Sequence, residues 1–169
     1  DLAWCRENRV SISISSLSQL KEYGDYCKGV FLHLQVNTGL NRFGFRSLIE
    51  FKKTIEYIED RGLLLEGVYS HFATKEDDKT FIKRQNFKFK QFKKLVKSDN
   101  VIFHIANSFA TVSGENYKYD MVRNGFLMYG NHQGLFDIPM LLPIPYIKVF
   151  SPSTAGEIDI FMKRAVYDE

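Results

Sequence analysis

The sequence predicts an α/β chain built on parallel strands, and three observations carry that expectation. Short β-branched or apolar runs alternate with amphipathic helical stretches, two capping-box signals stand between them, and the unusual polar residues fall just after the strand-like runs. Strands separated by helices of these lengths pair in parallel through right-handed crossovers.

The elements follow in order. Val10 to Ser15 ("VSISIS") reads as a strand, and Ser16-x-x-Gln19 opens a short helix. Val30 to Val36 ("VFLHLQV") is the second strand. Ser47-x-x-Glu50 is a second capping box, whose helix sets Leu48, Phe51, Ile55 and Ile58 on one face until Gly62 ends it. "LEGVYSH" is a third strand ending at His71. A longer helix runs from about Asp78 to Lys97 with Ile82, Phe89, Phe92 and Val96 inward, and "VIFHIA" (Val101 to Ala106) is a fourth strand. A short helical stretch from Ser108 leads to "DMVRNG", read as a fifth strand ending near Arg123. After Gly130 all four prolines occur and helical periodicity is lost, so residues 1–130 form one domain and 131–169 a linker entering a β segment at Pro145 to Phe150.

The totals bound the function classes. The 169 residues are 44% hydrophobic, enough for one sizeable core. With 23 basic against 20 acidic residues, net charge alone gives no reason to expect nucleic acid. The lysine-rich run at Lys83, Arg84, Lys88, Lys90, Lys93, Lys94 and Lys97 could contact phosphates, but a solvated helix face is the simpler reading. Cys5 and Cys27 lie in no metal-ligand spacing, so no metal is expected, and no apolar run reaches the roughly 18 residues of a membrane span. A cytoplasmic address is the simplest expectation. The chain starts at Asp1 rather than Met, as expected of an excerpt or a processed product.

Gln35, Asn37 and Arg42 follow the second strand, His71 ends the third, Asn107 and Ser108 follow the fourth, and Arg123 and Gly125 follow the fifth. In a parallel barrel or a doubly wound sheet this carboxyl edge is where ligands sit, and the pattern alone does not choose between the two.

The segments "VNTGLNRFGF", "GVYSHFAT", "HIANSFAT" and "MVRNGFLMYG" resemble, in order and spacing, four signature segments of alanine racemase. That family uses pyridoxal 5'-phosphate and folds as a (β/α)8 TIM-type barrel followed by a C-terminal β domain. The resemblance implies a partial barrel covering strands 4 to 8, plus the start of the β domain. It assigns Ser108 and the amides of Gly125 and Phe126 to the cofactor phosphate, with Asn107 orienting that turn. Arg123 would face the pyridine nitrogen, and a guanidinium, which only donates, leaves that nitrogen unprotonated. His104 would support Arg123, and His71 would lie near the ring. Arg42 would reach the cofactor's phenolic oxygen and the alanine carboxylate, with Gln35 standing where the family often has a carbamylated lysine. The Schiff-base lysine and the catalytic tyrosine of the family are found nowhere in matching motifs, so the isolated chain is expected to be inactive. A non-catalytic remnant that binds cofactor or a partner is the alternative. The resemblance also implies a homodimer, doubtful without the β domain, and neither nucleic acid nor membrane as partner.

Overall fold

The computed structural model describes residues 2–73, 78–112 and 117–123. The chain divides into two units, Asp1–Phe126 and Leu127–Glu169. The second unit lies outside the described residues, as does the expected β segment at Pro145 to Phe150.

Four strands, β1 (Ile12–Ile14), β2 (Phe31–Gln35), β3 (Leu64–Tyr69) and β4 (Ile102–His104), form one parallel sheet in that spatial order. After a short helix α1 (Leu2–Glu7), the crossovers carry α2 (Leu17–Tyr23), α3 (Leu48–Asp60) and α4 (Lys79–Lys93), and α5 (Ser108–Val112) follows β4. Sequential order with a helix in each crossover is the expected βαβ pattern.

The capping boxes form, each with a displacement. Ser16 Oγ accepts from the Gln19 amide at 3.2 Å, but Gln19 Oε1 accepts from Ser15 N at 2.8 Å, one residue earlier than the motif requires. Ser47 Oγ accepts from the Glu50 amide, whereas the Glu50 carboxylate reaches across to the amide of Leu17 at 3.2 Å. It thereby caps the first turn of α2 rather than its own helix. Asp78 caps α4 by accepting from Phe81 N at 2.8 Å.

The two faces of the sheet differ. Ile14, Leu32, Leu34, Val68 and Phe103 point one way into the core, with Phe51, Ile55, Ile58, Phe89 and Phe92 among its helix-borne residues. The Phe51 ring meets Phe45 and Phe92 edge-on at 5.6 and 5.2 Å. The other face carries Ser13, His33, Gln35, Tyr69 and His104 at period two.

Three expectations need correction. The fifth strand is not formed among the described residues: Tyr119–Asp120 turn, and the backbone–backbone bonds that hold 120–123 beside β4 are two, Asp120 N to Phe103 O and Arg123 N to Ala106 O. The Asp120 carboxylate takes the Phe103 amide itself, in place of a backbone ladder partner. Helix α4 stops at Lys93, not Lys97, leaving Val96 packed against the core from a turn. Leu48, at the first position of α3, is exposed rather than inward. Of the seven basic residues in the lysine-rich run, six are exposed; Lys93 instead lies over the Phe103 ring at 4.2 Å.

Candidate functional site

The carboxyl edge of the sheet opens into a cleft of about 720 Å³ lined by Ser13, Ser15, Ser16, Gln19, Gln35, Arg42, Phe43, Tyr69, His71 and Arg123. Four sequence-selected residues, Gln35, Arg42, His71 and Arg123, therefore share one space. Asn107 and Ser108 do not line it. They open α5 just beyond β4, where Asn107 Oδ1 accepts from Ala110 N at 3.0 Å and fixes the turn as an N-cap. Gly125 and Phe126 lie outside the described residues.

Arg42 sits near the tip of a closed loop. The chain leaves β2 and returns so that Phe45 N donates to Gln35 O and Asn37 N donates to Phe45 O, both at 2.8 Å. The Asn37 side-chain Oδ1 gathers the amides of Gly39 and Asn41 at 3.0 and 3.2 Å. Gly44, at φ 104°, makes the return possible, since a Cβ there would stand 2.7 Å from Gln35 O. The loop leaves the Arg42 side chain exposed at the cleft. Gln35 is buried, and its Oε1 takes the Ser15 hydroxyl at 3.3 Å. Among the described residues no hydrogen bond joins Gln35 to Arg42.

Arg123 is fixed on three sides. One amino group donates to Ser70 O at 2.6 Å and the other to His104 Nδ1, while the guanidinium lies 5.0 Å from the centre of the Tyr69 ring. Tyr69 stacks on His104 with an interplanar angle of 7°. Burial, followed by the Arg123 charge and by His33, pushes the His104 pKa down to about 3, so this imidazole is neutral. His71 is also lowered, by burial first and then by the charges of Arg123 and Arg42. Burial lowers the Arg123 pKa as well, opposed by Tyr69.

The loops after β2 and β3 are tied together by Gln85, a fully buried residue of α4 that sequence reasoning missed. Its Nε2 donates to Thr38 Oγ1 at 3.2 Å and to His71 O at 3.3 Å, and its Oε1 accepts from Ala73 N at 3.0 Å. Thr38 continues to Ser70 Oγ at 2.8 Å, and Ser70 Oγ donates to Val36 O at 2.7 Å. A polar residue at i+3 from Ile82 and i−4 from Phe89, on the apolar stripe, was the available signal. His33, Glu66 and Tyr69 were missed too; the period-two alternation of β2 was the signal for His33. Among the described residues no group of three His, Cys, Asp or Glu side chains could hold a metal ion.

The alanine racemase N-terminal domain family matches residues 1–133 of this chain. An alanine racemase of Francisella tularensis subsp. mediasiatica (strain FSC147) is 38% identical over 130 residues, 72% of this chain and 35% of that protein. The chain thus spans about a third of the length of the curated relatives it matches. Among solved structures, the alanine racemase from Bacillus anthracis with bound L-Ala-P is 28% identical with a TM-score of 0.65, covering 81% of this chain and 38% of that one. The alanine racemase from E. faecalis, 24% identical with a TM-score of 0.66, covers 79% and 38% and speaks to the fold alone. The parallel sheet is accordingly part of a TIM barrel, of which this chain holds only a portion.

Proposed function

From the fact that this chain belongs to the alanine racemase N-terminal domain family, we propose that it is part of a pyridoxal-phosphate-dependent racemase interconverting L- and D-alanine. The convergence of Arg42, His71 and Arg123 on one cleft at the carboxyl strand edge carries this reading.

The donor set suits the cofactor. Arg123 uses its amino groups on Ser70 O and His104, which fixes the plane of the guanidinium where it borders the cleft, and a donor held in one plane suits the acceptor nitrogen of a flat ring. Ser108, with the amides of Gly125 and Phe126, would hold the phosphate, and Asn107 would keep Ser108 in place through its cap. Arg42 would orient the substrate carboxylate and the phenolic oxygen. The cofactor supplies an electron sink that acidifies the α-proton. Because Arg123 donates and cannot accept, it would leave the ring nitrogen unprotonated and the sink weak, which suits removing and returning one proton. His104, neutral and accepting on Nδ1, supports that arrangement without adding charge.

Racemisation also needs a proton-transferring group on each face of the substrate carbon. Arginine stays protonated at neutral pH and cannot act as an ordinary base for that work, and this chain has no lysine or tyrosine in the family's motifs. The protein represented here would receive those groups from other parts of the family's barrel and β domain. A cytoplasmic homodimer belongs to the same reading.

The test is titration of the isotope-labelled chain with pyridoxal phosphate, following the imidazole signals of His71 and His104 and the guanidinium signals of Arg42 and Arg123. Those groups shift together under the proposal. Shifts confined to the lysine-rich face of α4, or none at saturation, would refute it. In the same sample L-alanine gives no D-alanine above free cofactor; turnover that disappears in Arg123→Glu would overturn the expectation of inactivity.

A further inference from the structure

Beneath Arg123 a line of hydrogen bonds runs along the polar face of the sheet. His104 Nε2 meets His33 Nδ1 at 2.9 Å, and His33 Nε2 meets Glu66 Oε2 at 2.9 Å. Glu66 also receives the Ser11 hydroxyl. The protons in this line have only one arrangement, because both of its ends are fixed. Arginine has donors and no acceptor, so His104 Nδ1 must be bare and its proton sits on Nε2. That proton is donated to His33, whose Nδ1 must also be bare. The His33 proton therefore sits on Nε2 and goes to the carboxylate.

The backbone is shaped for this contact. The register between β2 and β3 slips after the Leu32–Leu65 pair, so that His33 faces Gly67 and Glu66 is the extra residue of a bulge. A Cβ on Gly67 would lie 2.4 Å from His33 Cε1, so only glycine leaves space for the imidazole. Bulge and glycine together bring one carboxylate and one imidazole onto the same face.

We infer that Glu66, acting through His33, is a positioning residue for Arg123: by accepting at the end of the line remote from the guanidinium it secures from that side the tautomers that Arg123 requires, so that His104 keeps a bare Nδ1 facing the guanidinium. Without Glu66, His33 can carry its proton on Nδ1 and donate to His104 Nε2. His104 would then hold its proton on Nδ1, opposing the Arg123 donor, and the guanidinium would lose its anchor on that side. The consequence for the cofactor rests on Arg123 facing the ring nitrogen, as proposed above; the arrangement itself does not.

The tautomers of His33 and His104 can be read by nitrogen-15 NMR on the chain without cofactor. Both histidines are expected to be single Nε2–H forms. In Glu66→Ala an Nδ1–H population appears on His33, and the Arg123 guanidinium signals broaden or shift. Glu66→Gln, whose carbonyl still accepts, restores the single form. Unchanged tautomers in Glu66→Ala would overturn the inference. So would His104 protonated on Nδ1 in the unaltered chain, a measurement that does not depend on any variant folding. Because no cofactor is present, this result and the pyridoxal-phosphate titration can fail separately.

Discussion

Replacing Gln85 with leucine tests how the cleft is held. The substitution keeps roughly the same volume and apolar packing but removes both a donor and an acceptor from a site with no exposed surface. Three bonds are lost, to Thr38 Oγ1, His71 O and Ala73 N. At about 1 kcal/mol net for each, the loss is about 3 kcal/mol, and because the bonds to Ala73 and His71 are only part-buried the expected range extends down to about 2 kcal/mol. Urea unfolding should show a lower midpoint with an unchanged slope. Amide exchange should rise first at Ala73, whose N–H loses its acceptor. A shift below about 0.5 kcal/mol, or exchange at Ala73 as slow as before, would refute the view that this side chain pins the two loops. Gln85→Glu gives a signed control. A buried carboxyl facing the His71 carbonyl would have its folded pKa raised above the unfolded value near about 4.3. Its deficit relative to glutamine would be smallest below that pH and grow as pH rises through the folded pKa.

Three further outcomes follow from other features. The His104 pKa is depressed to about 3 in the folded chain, so below about 6.5 the unfolded chain binds one more proton. Stability should therefore fall with decreasing pH between those values, by up to about 1.4 kcal/mol per unit from this group, and a His104→Gln variant should lose that part of the slope. Gly44→Ala forces a Cβ to within 2.7 Å of Gln35 O at a φ of 104°; it should cost about 1–3 kcal/mol and release the Arg42 loop, seen as faster exchange of the Phe45 amide. The β1 strand pairs on one side only among the described residues, and such an edge recruits other strands. Sedimentation should show concentration-dependent association, and a monodisperse species with a sharp melt would count against it.

Much of the scaffold was legible because periodicity and capping are local. Ser16, Ser47 and Asp78 begin helices where side-chain oxygens can take amides, and the apolar spacing of Phe51, Ile55 and Ile58 matches their burial. The positions of Arg42, His71 and Arg123 at one edge were legible for the same reason: strand ends in a parallel sheet share an edge whatever the details. What was not legible depends on register. The bulge that turns Glu66 toward His33 requires knowing that β2 and β3 slip by one residue, and no run of residues within β3 states that. Gln85 was hidden because a glutamine on a basic helix looks solvated until two loops are seen to close over it. The fifth strand was overread because the alternation of strands and helices leads one to expect a strand at "DMVRNG", whereas the Asp120 side chain takes the amide a ladder would use.

Sharing of a cap across the crossover has a consequence for how such chains can be divided. Glu50 belongs to the unit that follows α2, yet it completes the N-terminus of that helix. The β1–α2 module is thus finished by its successor, and its real boundary does not coincide with the turn between them. Chimaeras joined between Tyr23 and Ser47 would leave α2 with the native sequence but an orphan amide at Leu17, unless the incoming segment also brings an acidic residue to the position of Glu50. Junctions placed after Asp60 keep donor and acceptor on one parental segment, and these are the places where recombined barrels of this kind should retain the stability of their parents.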